Sequence, residues 1–177
     1  MFHPHYVTLK NGTAALIRYV EPADAEALIA HVNSVGAERV YIHTERLDQS
    51  VAEEADLLRQ LDRTRTLFLV AVIDGKLVGS SDVQRGRLTK NAHTASLGIA
   101  IRKDARGLGL GRALLEDDIR WARESGIRKL SLTVFATNRS AIALYGQLGF
   151  AEEARLKGQV VLEGSPVDEV VMTRWLG

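Results

Sequence analysis

Between residues 99 and 112 the chain reads Ile99-Ala100-Ile101, then the basic turn Arg102-Lys103-Asp104-Ala105, then Arg106-Gly107-Leu108-Gly109-Leu110-Gly111-Arg112. An apolar run, a short charged turn and glycines alternating with leucines predict a strand feeding a glycine-rich turn that opens a helix. This constrains the fold more than any other feature, because strand and helix must meet around a backbone bare of side chains at alternate positions. A helix N-terminus exposes unpaired N–H groups and about half a positive charge, so it attracts anions. Glycines let an anion approach those amides. Arg106 and Arg112 flank the loop and add charge-assisted donors. The segment therefore predicts a diphosphate site.

Two nucleotide motifs with similar logic do not match. A Walker loop ends in Gly-Lys-Ser/Thr, whereas Gly111 is followed by Arg112-Ala113. A dinucleotide fingerprint has Gly-x-Gly-x-x-Gly and an acid closing the next strand; here the spacing is Gly-x-Gly-x-Gly and that strand ends Thr133-Val134-Phe135. Glycines that serve only close helix–strand packing are the remaining alternative.

Charge supports a ligand role. The 177 residues carry a net charge of +1, yet residues 85–112 alone are +6, against −4 for residues 1–84 and −1 for residues 113–177. A local basic segment in a nearly neutral chain suits a compact polyanion rather than a long nucleic acid. The absence of cysteine excludes disulfides, thiolate metal sites and a cysteine nucleophile. His3, His5 and His31 show no metal-ligand spacing, so no metal is expected. The longest apolar run, Leu67–Ile73, is far short of the ~20 residues of a membrane span. Met1-Phe2-His3-Pro4-His5 has no basic region before an apolar stretch, so the expectation is a cytoplasmic protein with no membrane partner. The length predicts a single domain over residues 1–177.

Periodicity predicts strands over Thr13–Val20, Thr66–Ile73, Lys76–Val83, Ala92–Ile101, Lys129–Phe135, Glu152–Leu162 and Asp168–Trp175. Asp74-Gly75 joins the second and third as a hairpin. Helices are predicted from Pro22 to Ser34 and over Ser50–Arg63, Leu110–Ser125 and Asn138–Leu148. The result is a mixed α/β sheet with a central parallel pair.

Arg106-Gly107-Leu108-Gly109-Leu110-Gly111 resembles the Arg/Gln-x-x-Gly-x-Gly/Ala acetyl-coenzyme A motif of the GNAT N-acetyltransferases. The stretch from Asn138 through Tyr145 to Phe150 resembles that superfamily's second signature, and the element order from Thr13 to Trp175 is similar to its fold. The resemblance implies a twisted, mostly antiparallel sheet with one splayed parallel pair and about four helices. It also implies acetyl-CoA as co-substrate, lying between Ala92–Ile101 and Lys129–Phe135. The pantetheine arm would pair with backbone near Ile99, Ala100 and Ile101, and the diphosphate would lie on residues 106–112, Leu108 and Leu110 included. Asn138 and Tyr145, seven positions apart, fall about 20° apart around a helix. Asn138 would cap the helix or reach the ligand. Tyr145 would, by resemblance, protonate the departing thiolate; otherwise it is a core tyrosine.

The acceptor must be a neutral amine, since an ammonium has no lone pair. The resemblance implies direct attack in a ternary complex, with the oxyanion held by an N–H near Ile99–Ala100. Ribosomal-protein alanine acetyltransferases place a glutamate where this chain has Thr133, which argues against that subgroup. Glu45 is the leading candidate base, with His43, Asp82 and His93 as alternatives. Tyr41, Thr44 and Glu45, between the first two helices, are expected to line the acceptor pocket. The Gly164…Asp168…Met172 pattern resembles enzymes acting on amino acids or related amines; a hairpin with Asp168 paired on the sheet is the alternative. The expected activity is acetylation of a small, amino-acid-like primary amine. Protein N-termini, lysines or polyamines, and a non-catalytic acyl-CoA sensor, are the alternatives. A homodimer is a further expectation, since dimers are common in the superfamily.

Overall fold

A computed structural model describes residues 2–177. In chain order the elements are β1 (His5–Thr8), β2 (Ala14–Tyr19), α1 (Ala25–Gly36), α2 (Val51–Arg59), β3 (Thr66–Ile73), β4 (Lys76–Arg85) and β5 (Thr94–Ile101). They continue with α3 (Leu110–Glu124), β6 (Lys129–Phe135), α4 (Arg139–Gln147), β7 (Ala151–Leu162) and β8 (Ser165–Trp175). The strands form one sheet in the order β1-β2-β3-β4-β5-β6-β8-β7, with β5 and β6 parallel and the other neighbouring pairs antiparallel. This is the mixed α/β architecture that the sequence predicts.

Local chemistry sets the boundaries. The β3–β4 turn has Asp74 at φ 48° and Gly75 at φ 75°, the paired left-handed conformation that matches strand twist. Ser50 and Glu53 form a capping box that starts α2. That helix stops at Arg59, short of the predicted Arg63, because Asp62 takes over: its carboxylate accepts from the amide and hydroxyl of Thr64, and its carbonyl from the amides of Arg65 and Thr66. β1 is a strand the sequence reading misses. It has only four residues, lies at the sheet edge and alternates between half-buried and exposed.

Helices cover both faces. On one, Leu110, Leu114, Leu115, Ile119 and Ala122 of α3 pack against Leu69, Val83, Leu97 and Leu130. Burying each such leucine stabilises by roughly 1.5–3 kcal/mol. On the other, Leu28 of α1 and Leu58 of α2 close over Val70 and Leu77.

The sheet is incomplete at its centre. β5 and β6 pair only at Thr94↔Lys129, Ala95↔Leu130 and Ser96↔Ser131. Beyond that point β5 stays with β4 up to Ile101, and β6 stays with β8 up to Phe135. The two strands therefore part, and backbone groups of residues 97–101 that would bond a neighbour face a gap.

Candidate active site

The gap opens into a cleft of about 580 Å³. At one end lies the glycine loop, of which Arg106, Gly107, Gly109, Gly111 and Arg112 line the wall. Gly107 and Gly109 have φ of +75° and +93°, and Gly109 immediately precedes the first turn of α3. A left-handed residue there turns the chain so that the α3 amides face the cleft without a Cβ in front of them. Leu108 and Leu110 turn to the core instead. The amide of Lys10 donates to the Leu108 carbonyl at 3.0 Å, so the β1–β2 connection backs the loop. Lys10 itself lines the cleft beside Gly109. No sequence signal exposed that role, since it depends on a turn almost a hundred residues upstream of the loop.

Both arginines line the cleft, and each also has partners within the protein. Arg106 donates through Nη1 and Nη2 to both carboxylate oxygens of Glu38 (2.8 and 2.5 Å) and through Nε to the Ile101 carbonyl (2.8 Å). Its guanidinium also lies 4.2 Å from the Tyr41 ring centroid. Hydrogen bonding to Arg106 holds the Glu38 carboxyl below its ordinary range, and the same bond raises Arg106. Arg112 donates to Gln147 on α4 and lies 3.7 Å from Glu116.

Along the cleft, Ile99, Ala100 and Ile101 form one wall, while Asn138 and Tyr145 both face it from α4. Asn138 precedes α4, and its Oδ1 accepts from the Ala141 amide at 3.2 Å. Tyr145 is 6% exposed and packs edge-on against Phe150. Burial pushes its phenol up to about 12, so it keeps its proton throughout the neutral range.

The 37–49 loop contributes Tyr41, Ile42 and His43 to the same cleft, with Tyr41 beside Arg106 of the glycine loop. Thr44 and Glu45 are not part of the cleft wall; the Glu45 side chain is 70% exposed and lies 3.9 Å from Arg39. His43 Nε2 is 2.5 Å from Glu169 Oε1, and its ring packs edge-on against Phe135 at 4.9 Å. Glu169 is itself buried, in register with Phe135 across β8 and β6. Asp168, its neighbour in sequence, faces elsewhere and accepts from the Gly158 amide and Lys157 Nζ. Asp168 is thus paired on the β7–β8 sheet, the alternative reading of the tail pattern.

The remaining candidates lie off the wall. Asp82 lies against Gly98, where a Cβ would come within 2.8 Å of its Oδ1, and burial raises its carboxyl. The exposed His93 precedes β5 at the end remote from the glycine loop. Among the described residues, no group of three or more His, Asp or Glu side chains is placed to hold a metal ion.

Comparison with known proteins agrees with this architecture. Residues 38–150 match the model of the Acetyltransferase (GNAT) family. The L-amino acid N-acetyltransferase AaaT of Escherichia coli (strain K12) is 30% identical over 167 residues, covering 90% of this chain and 96% of that protein. The crystal structure of a GNAT-family acetyltransferase from Streptococcus pneumoniae superposes with a TM-score of 0.86 at 32% identity, covering 92% of this chain and 99% of the other. The ribosomal-protein-alanine N-acetyltransferase of Brucella melitensis gives a TM-score of 0.80 at 30% identity, covering 90% and 99%. The chain belongs to the GNAT acetyltransferase family, and it is an N-acetyltransferase.

Proposed function

We propose that residues 1–177 form one domain that transfers an acetyl group from acetyl-CoA to the primary amine of a small, amino-acid-like molecule, by direct attack in a ternary complex. The observation that carries this reading is one cleft lined together by the glycine loop, Tyr145 and His43, with His43 bonded to the buried Glu169.

The cleft fits the co-substrate's chemistry. Backbone groups of residues 97–101 without a strand partner suit an extended, amide-bearing chain. The loop amides, with Lys10 and Arg112 beside them, suit a diphosphate. Acetyl-CoA, when bound, supplies a thioester carbonyl open to attack by an amine.

The protein's own groups do the rest. Glu169 accepts from His43 Nε2–H, which orients the ring and leaves Nδ1 to take the proton of the incoming ammonium. His43 takes this role in preference to Glu45, which lies off the cleft wall. An N–H of the Ile99–Ala100 segment stabilises negative charge developing on the carbonyl oxygen. Tyr145 donates its proton to the departing thiolate, and the second proton lost by the acetylated nitrogen restores the phenol. The apolar lining by Tyr41, Ile42 and Phe135 suits an amine bearing an apolar substituent.

The test is thiol release from acetyl-CoA by purified protein against amino acids, polyamines, aminoglycosides and peptides. Release is expected first with amino-acid-like amines. Faster release with an alanine-terminated peptide would move the acceptor class to proteins. Coenzyme A binding without release on any amine would replace the enzyme reading with a sensor. We also propose a cytoplasmic location and a homodimer; among the described residues no helix is long and apolar enough to cross a membrane. Sedimentation tests the dimer, for which β7, exposed along most of its length at the sheet edge, offers a free strand.

A further inference from the structure

The 37–49 loop carries Tyr41 and His43 into the cleft without any regular secondary structure of its own. Side chains and one close contact hold it instead. Asn33 Oδ1 accepts from the Leu47 amide at 2.6 Å. The carbonyl oxygens of Thr44 and Glu45 pass so near Gly36 that a Cβ there would fall 2.4 Å from each. His43 is tied to Glu169. A further tie runs to the glycine loop: the bidentate pair from Glu38 to Arg106, with Tyr41 stacked on the same guanidinium.

Three of Arg106's five N–H groups are engaged, two by Glu38 and one by the Ile101 carbonyl, and its π-face lies against Tyr41. A planar fork held this way is poorly placed to serve a diphosphate at the same time. Half-burial of both Arg106 and Glu38 makes the pair less open to screening than an exposed one.

We infer that Arg106, though part of the glycine loop, acts as a strut for the acceptor loop, and that Glu38 is the positioning residue through which it holds Tyr41 and His43 over the cleft. The inference rests on the acetyltransferase reading for its kinetic consequence, but its structural consequence is independent of turnover. The ion pair ties the glycine loop to the 37–49 loop. Breaking it loosens the 37–49 loop and leaves the amides of the glycine loop in place.

The experiment is a double-mutant cycle of Glu38→Gln, Arg106→Gln and the double variant in the full chain. Its readouts are amide hydrogen exchange over residues 38–45, coenzyme A titration by calorimetry, and KM for L-leucine with acetyl-CoA. Each single variant is expected to speed exchange in 38–45 by about tenfold and to raise KM for the amine by a similar factor, with the double variant no worse than either. Coenzyme A affinity in Glu38→Gln is expected to stay within about twofold of the parent. Unchanged exchange in Glu38→Gln would overturn the strut. So would a coenzyme A affinity that rises in Glu38→Gln and falls more than tenfold in Arg106→Gln, which would return Arg106 to the diphosphate. Failure of the parent protein to release thiol with any amine sinks the enzyme reading alone, and exchange still decides the strut.

Discussion

Replacing Gly109 separates what the loop does for the fold from what it does for the ligand. Its φ is +93°, and an added Cβ would meet nothing nearer than Lys10 Cγ at 3.9 Å. Packing therefore contributes little to the cost of a side chain, and backbone conformation dominates. An ordinary L-residue in the left-handed region costs roughly 1–2 kcal/mol, and asparagine is better tolerated there. At about 2–4 °C per kcal/mol for a chain of this size, Gly109→Val should lower Tm by roughly 2–8 °C and Gly109→Asn by about 3 °C or less. Both side chains would stand before the α3 amides. Hydrogen bonds to a charged group contribute about 1.5–3 kcal/mol each, so losing two weakens coenzyme A binding by ~100-fold or more. Differential scanning fluorimetry reads the first effect and isothermal titration with coenzyme A the second. A folded Gly109→Asn protein that binds coenzyme A within twofold of the parent would refute the loop's role as an anion site.

Tyr145→Phe should lower kcat by ~100-fold or more while coenzyme A affinity changes little; an unchanged kcat removes the phenol from proton transfer. His43→Ala should lower kcat by ~100-fold or more, and Glu169→Gln should reduce kcat with the fold intact; an unchanged kcat in His43→Ala would eliminate it as the base. Asp118 tests stability away from the cleft. Ser81 Oγ donates to its Oδ1 at 3.0 Å, its Oδ2 has no partner, and burial raises its carboxyl well above the ordinary 3.8. The folded state thus favours the protonated form, so this group's contribution is present below pH ~4 and is lost as pH climbs through the raised value. Asp118→Asn should raise Tm at pH 7 by roughly 2–4 °C and flatten that decline, and a lower Tm at pH 7 would contradict it.

Local signals carried most of the fold into view. Asp74-Gly75, the Ser50/Glu53 box and the glycines before α3 each act within a few residues, and each element they bound is present. What escaped was short or distant. The four residues of β1 gain their structure from pairing with β2 rather than from their own pattern. Glu169 lies 126 positions from His43, and Glu38 lies 68 from Arg106. Neither pairing leaves a trace in spacing. Within Tyr41-Ile42-His43-Thr44-Glu45 the sequence identified the segment, but which side chains face inward depends on how the loop is pinned. Glu45 and His43, two residues apart, end in unlike surroundings for that reason.

The parting of β5 from β6 reverses the usual gradient of protection across a sheet. In most sheets the middle strands exchange their amide protons slowest and the rims fastest. Here alternate amides of residues 97–101 look onto the gap between β5 and β6, while β5 stays bonded to β4 and β6 to β8. A guest that fills the gap becomes, in effect, the sheet's ninth member, so ligand affinity and the rigidity of the molecule's midline are two measures of one set of bonds.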